Sequence, residues 1–367
     1  MTDRKIERHD RVDGCPVAHD ADGIWRVHGY AAGRALLRST DTVQAGMNIE
    51  GVEKMPKRIR RPVLYRDGEE HREHRRQTAR YFTPRRVDAA YRDLMERIAD
   101  EQLDRLRRAG RADLSDLSFR LAVAVAAAVM GLDGGPGLAR RLERFFPEHY
   151  GEPGLHSPRA FYWLLRNNYW SLSFYFHDVR PAVRARRRTR ADDVISHLID
   201  EGCTDGDILG ECLVFAPAGM VTTREFINVV AWHLFTDDDL RKRYTSGDEP
   251  ARVALLEELL RLEPVVYLIK RRTTAPVPLP GVTIPAGARV DVSVTNTNLD
   301  PEADGPGLSF GDGAHRCPGQ HVALRETDIF LHKLFALDGL RMAAEPRVAF
   351  KEDIAAYELR GLEVELA

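Results

Sequence analysis

Along the 367 residues, apolar positions recur mostly with the helical period, and only a few short runs alternate as strands do. Ile24-Trp25-Arg26-Val27 reads as a short strand and residues 30–38 as a helix. Residues 42–64 mix Gly, Met, Pro and Arg without a period, which predicts a loop long enough to carry function. Helices are predicted over 70–81, 87–109, 114–130, 205–236, 255–262 and 322–337. The 114–130 run is almost uncharged, but it is rich in Ala and holds Asp116 and Arg120, so it reads as a buried helix rather than a membrane span. The longest segment, 205–236, carries Pro217 and Gly219 at its centre, which should kink or loosen it. Residues 277–294, with Pro280-Gly281 and Gly287, read as short strands joined by turns. The section 145–176 is dense in aromatics, from Phe145, Phe146 and Tyr150 to Tyr169, Trp170 and Phe176, and suits either core packing or the wall of a cavity. The class is therefore mainly α with small β-sheets. Residues 1–20 read as a polar N-terminal arm, and no repeat or shift in composition divides 21–367, which reads as one domain.

Composition narrows the partners. Lys and Arg number 54 against 56 Asp and Glu, and a net charge of −2 argues against bulk binding to nucleic acid or an anionic membrane. Cys15, Cys203, Cys212 and Cys317 are far apart and form no C-x-x-C, which fits a reducing cytoplasm better than a disulfide scaffold. Residues 1–20 have no apolar centre, so neither a signal peptide nor a membrane anchor is expected, and the protein is expected to be cytoplasmic.

Candidate chemistry concentrates in Phe310-Gly311-Asp312-Gly313-Ala314-His315-Arg316-Cys317-Pro318-Gly319. Gly311 and Gly313 allow positive φ or a close approach to a flat cofactor, and a helix can begin at Gln320. The free N–H groups of such a helix start favour negative charge, which pushes a sulfur just before it toward thiolate. Phe310 can cover one face of the loop, and His315 can donate to an anionic group. Read from the residues alone, this is a thiolate under glycines, compatible with haem, another soft metal centre or a nucleophile. Upstream, His71 and Arg75 share a helix face at i and i+4 and could bind an anion together.

The loop resembles the haem-binding segment of the cytochrome P-450 haem-thiolate monooxygenases, Phe-Gly-x-Gly-x-His-x-Cys-x-Gly, at all six of its positions. The resemblance implies the triangular fold of that family, with haem b (iron protoporphyrin IX) between the long central helix and the Cys-loop helix. It implies Cys317 as axial iron ligand. It also makes His71, Arg75 and either Arg271 or Arg272 partners of the haem propionates. On the central helix Ala218, Gly219 and Thr222 match the family's oxygen pocket, but Val221 stands where the family has a proton-relaying acid. Glu225, nearly one turn on, is a candidate to reach back through water. Glu258 and Arg261 match the family's Glu-x-x-Arg pair, while the connection 298–310 is short and lacks the Arg that usually joins them, so Asn298 or a backbone carbonyl should replace it.

The implied function is insertion of one oxygen atom from dioxygen into a small organic, biosynthetic substrate. Electrons would come from a ferredoxin-type donor docking near Arg72, Arg76, Arg80 and Arg316. Two other readings stand beside it. One keeps the haem but performs oxidative coupling, desaturation or a peroxide-driven reaction. The other is a non-catalytic accessory to a biosynthetic enzyme, against which the retained Cys317 speaks.

Overall fold

The computed structural model describes residues 3–6, 15–46, 49, 52, 60–134, 137–145, 154, 155, 157–352 and 354–366. Its axis is the helix Asp205–Thr236. A capping box fixes its first turn: the Thr204 hydroxyl accepts from the Asp207 N–H at 3.2 Å and the Asp207 carboxylate accepts from the Thr204 N–H at 2.9 Å. Its 32 residues extend for about 48 Å at 1.5 Å per residue, and every residue from 223 to 234 is buried. The Ala-rich helix Leu114–Met130 packs along it, and a Cβ placed on Gly219 would stand 3.5 Å from that of Ala126. Pro217 and Gly219 do not break the helix. Helical structure runs through both, because burial of the helix outweighs the single backbone hydrogen bond that a proline removes.

Tyr30–Arg38 is a helix with the expected bounds, and Gly68–Thr78 begins two residues earlier than periodicity suggests. The single helix expected over 87–109 is two, Pro84–Ala90 and Arg92–Ala109. Tyr91, at φ −118°, steps off helical geometry, and the Thr83 hydroxyl with Pro84 starts the first helix by accepting from the Arg86 N–H at 3.2 Å. Glu249–Leu262 and Gln320–Phe335 complete the packing around the central helix.

Five strands form the main sheet: β1 (Val17–His19), β2 (Ile24–Val27), β3 (Thr42–Gln44), β5 (Leu268–Thr273) and β8 (Arg289–Ser293), in the order β1-β2-β8-β5-β3. Only the β2–β8 pair is parallel. β4 (Arg111–Asp113), β12 (Glu363–Leu366) and β9 (Leu340–Ala344) make a second sheet. β6 (Val277–Leu279) with β7 (Val282–Ile284), and β10 (Arg347–Lys351) with β11 (Ala356–Arg360), are hairpins. A large apolar core surrounds the central helix, and a smaller one, including Val27, Leu36, Val290 and Val292, lies under the main sheet.

Two expectations change. Residues 17–19, read as part of a polar arm, form β1, and Ile6 is 3% exposed with its N–H bonded to Glu263 at 3.3 Å. Segments of three or four residues are too short for periodicity to reveal. The aromatic section is not mainly core: the helix Pro158–Phe174 buries only Ala160 and Phe174, while Phe161, Tyr162, Tyr169 and Phe176 are exposed. Phe146 and Tyr150 lie outside the described residues.

Candidate functional site

The Cys317 loop is closed by its own backbone, the Cys317 N–H donating to Phe310 O at 2.8 Å and the Gly311 N–H to Leu308 O at 2.8 Å. Gly311 and Gly313 both sit at φ 67°, where only glycine is unstrained. Gly313 is doubly constrained, since a Cβ there would lie 2.3 Å from Leu37 O. Asp312 anchors the loop to the helix Tyr30–Arg38, accepting from Arg34 Nε at 3.1 Å, Arg38 Nε at 2.9 Å and the Gly313 N–H at 2.8 Å. Phe310 packs against the main core.

The helix Gln320–Phe335 starts directly after Gly319, whose Cβ position would be 3.8 Å from Cys317 Sγ. The N–H groups of Gly319 and Gln320 bond the sulfur, as the sequence suggests, but they do not decide its charge. Burial pushes the Cys317 thiol up from its ordinary value, opposed by those two N–H groups and by the charges of Arg75 and Arg316. A bound cation is what would deprotonate such a sulfur outright. By surface area Cys317 is exposed, so the sulfur is crowded by protein atoms while the residue remains open to solvent.

Beside the sulfur is a set of basic side chains brought from three parts of the chain. Arg75 Nη2 donates to Arg316 O at 2.5 Å, and the ring of His71 stacks on that of His315 with centroids 4.0 Å apart. Arg271 is 4% exposed, donates to Gln44 Oε1, and leaves its Nε without a partner among the described residues. The alternation of β5 turns Arg271 inward and Arg272 outward, so the two candidates left open by the sequence are separated by burial. Burial, followed by the charges of His315 and Arg75, lowers the pKa of His71 to about 4, and burial also lowers Arg75 and Arg271. His315 is not free to reach outward with Nε2, which Asp67 Oδ1 holds at 2.8 Å.

On the central helix, the Thr222 hydroxyl donates to Ala218 O at 2.6 Å. Ala218 is exposed while Gly219, Val221 and Thr222 are half-buried. Among the described residues, no hydrogen bond joins these four to the Cys317 cluster. Glu225 is unavailable to replace the missing acid. It is fully buried and accepts from the Leu359 N–H at 2.7 Å, Arg224 Nε at 2.6 Å and Arg360 Nη1 at 2.9 Å. Glu258 and Arg261 do not form the buried pair expected of them. Glu258 is half exposed and accepts from Arg243 at 2.9 Å, while Arg261 Nη1 donates to Asn298 O at 3.4 Å. The short connection leaves that helix face in water, where Glu258 needs no third partner. Asn298 takes the bridging role through its side chain, donating to Arg261 O at 3.1 Å and Ser309 Oγ at 2.8 Å and accepting from the Leu308 N–H at 2.7 Å.

Sequence reasoning missed Asp67, Gln44 and Asp312. For Asp67 a signal existed, an Asp directly before a Gly-Glu-Glu helix start, but it reads as an N-cap. Its carboxylate holds His315 instead and makes no side-chain cap.

A mainly helical fold with an exposed Cys at a helix start, beside the buried Arg271 and the half-buried Arg75, can hold an anionic group next to a sulfur. The profile of the family described as Cytochrome P450 matches residues 251–303. The chain is 28% identical over 350 residues to erythromycin C-12 hydroxylase of Saccharopolyspora erythraea, covering 88% of this chain and 84% of that protein. It is 28% identical over 366 residues to cytochrome P450-SOY of Streptomyces griseus, covering 93% and 84%. The crystal structure of CalO2 superposes with a TM-score of 0.79 at 23% identity, covering 98% of this chain and 93% of that one. That of P450BioI in complex with hexadec-9Z-enoic acid ligated acyl carrier protein gives 0.78 at 21%, covering 96% and 95%. The chain is thus similar to cytochromes P450 in sequence over most of its length and shares the fold of their solved structures. The residues present fit that family's haem: a buried guanidinium with an unpartnered Nε needs an anion, the desolvated His71 can donate an N–H to one, and Cys317 offers sulfur beside them. No described helix is long and apolar enough to cross a membrane.

Proposed function

We propose that the enzyme binds haem b, with Cys317 as thiolate ligand and Arg271, His71 and Arg75 on its propionates, and inserts one oxygen atom into a small organic substrate of secondary metabolism. The observation that carries this is the buried Arg271 guanidinium with an unpartnered Nε, in the same cluster as His71, Arg75 and the accessible Cys317. When bound, the haem supplies the activation of dioxygen. The chain's own residues do the rest. N–H groups of Gly319 and Gln320 would bond the thiolate, Ala218 and Gly219 offer small residues on the central helix, and the Thr222 hydroxyl can turn from Ala218 O to hold a proton. Erythromycin C-12 hydroxylase among the relatives supports a biosynthetic substrate.

A ferredoxin-type donor would dock beside the Cys317 loop. Arg72 and Arg76 are each bonded to a glutamate one turn back, at 2.6 Å, which weakens their part in the attraction, whereas Arg80 bonds Tyr81 and Arg316 bonds Gln320. Val221, with Glu225 committed elsewhere, favours a second reading in which the reaction runs on peroxide or on a proton brought by the substrate. The reduced carbon monoxide complex tests the site. A Soret band at the thiolate-type red-shifted position is expected for wild type and absent for Cys317→Ala, and an unchanged spectrum in that variant overturns the assignment. Turnover with peroxide alone against turnover with dioxygen and a surrogate reductase separates the two readings.

A further inference from the structure

We propose that the helix Pro158–Phe174 is the seam of a two-fold dimer, packing antiparallel against the same helix of a second copy of this chain. Of its residues only Ala160 and Phe174 are buried. Along one line Tyr162, Leu165, Tyr169 and Leu172 of the helix, with Phe176 in the turn just beyond it, are between 50% and 63% exposed. Their spacing is three, four, three, four, the a/d repeat by which helices interlock. Phe174, on the opposite side of the helical wheel, is 0% exposed, so the line points straight out from the protein. A π-turn, Tyr175–Val179, ends it, and the extra residue re-phases the chain so that Arg180–Arg188 turns Ala182 and Val183 inward.

The line also reads the same in both directions: aromatic, Leu, aromatic, Leu, aromatic, centred on Tyr169. A two-fold axis there sets Tyr162 against the partner's Phe176, Leu165 against the partner's Leu172, and Tyr169 against its own copy, which is the self-complementarity a closed dimer requires. The flanking positions, Phe161, Arg166, Asn168, Ser173 and Tyr175, bring no carboxylate. Arg166 is folded onto its own Trp163 ring at 5.1 Å and bonded to Arg144 O, so like charges do not meet across the seam. A helix lying in lipid would instead carry a free basic fringe along these flanks. With Phe161, half-exposed side chains of ~150–250 Å² each offer roughly 600 Å² per copy, or about 1,200 Å² per pair, the lower bound of a stable interface.

Sedimentation of the haem-loaded protein tests this. Wild type is expected to approach twice the 41.5 kDa chain mass, and Leu165→Glu with Leu172→Glu, placing four carboxylates in the seam, should weaken association by at least ~100-fold. In a Cys15→Ser background, oxidised Tyr169→Cys should give a disulfide-linked dimer and Tyr162→Cys should not. The cross-link decides the matter even if the double variant fails to fold. Wild type that stays monomeric, a dimer that survives the double substitution, or cross-linking through Tyr162→Cys overturns the proposal. So does a monomer that binds phosphatidylserine vesicles through this helix, which would make it a lipid-facing surface.

Discussion

Val221→Asp places a carboxylate on a turn of the central helix that lacks one, next to Thr222, whose hydroxyl donates to Ala218 O at 2.6 Å. Glu225 is the next carboxylate along, and its availability decides how much the substitution can change. Its three bonds, from the Leu359 N–H, Arg224 and Arg360, are all to a carboxylate, and each such bond is worth about 1.5–3 kcal/mol. Swinging Glu225 toward position 221 forfeits at least about 4.5 kcal/mol, which at 1.4 kcal/mol per factor of ten leaves it free in fewer than about one molecule in 10³. Wild type therefore lacks a fixed acid beside Thr222, whereas a positioned acid contributes ~10²- to 10⁴-fold to proton transfer. On an apolar substrate with a surrogate ferredoxin and reductase, wild type should release much of its reducing power as hydrogen peroxide. Val221→Asp should lower peroxide per product by at least about tenfold. The assay is product and peroxide per NADPH on haem-loaded protein. If the variant folds, binds haem and couples no better, or if wild type already couples tightly on a substrate without polar groups, proton supply is not limiting and the reasoning fails.

Gly313→Ala forces a methyl to within 2.3 Å of Leu37 O at a φ of 67°, a strain of about 1–3 kcal/mol confined to the Cys317 loop. Haem content per chain should fall while far-UV circular dichroism stays unchanged, and full loading would show that the loop yields. His74 is 2% exposed, and burial with the nearby Arg66 and Arg60 lowers its pKa from 6.5 to about 3. Between those values the unfolded chain binds a proton that the folded chain refuses, so stability rises with pH across that window by up to ~1.4 kcal/mol per unit and is lost on acidification. In urea melts from pH 6.5 to 4, His74→Gln should flatten that slope by one proton, and an unchanged slope would show that His74 does not carry it.

The sequence by itself determined what rests on local interactions. Periodicity set the bounds of Tyr30–Arg38, Leu114–Met130 and Asp205–Thr236, and the residue pattern after Cys317 placed a helix start at Gln320. It also marked Gly311 and Gly313 as positions suited to positive φ or to a close approach, and both take positive φ. The basic cluster was legible as a list, because His71, Arg75, Arg271 and Cys317 each sit in a recognisable short pattern. Only the tertiary structure decided which members face the sulfur. Arg271 is inward and Arg272 outward because β5 is held in register between β3 and β8, strands that pair residues more than 200 positions apart in one case and about 20 in the other. Glu225 is withdrawn by Leu359 and Arg360, Asn298 bridges Arg261 to Ser309, and Asp67 holds His315 from 248 residues away. Desolvation of Cys317 outweighs its helix start for the same reason. Burial and pairing depend on which distant segment arrives beside a side chain, and no local pattern encodes that partner.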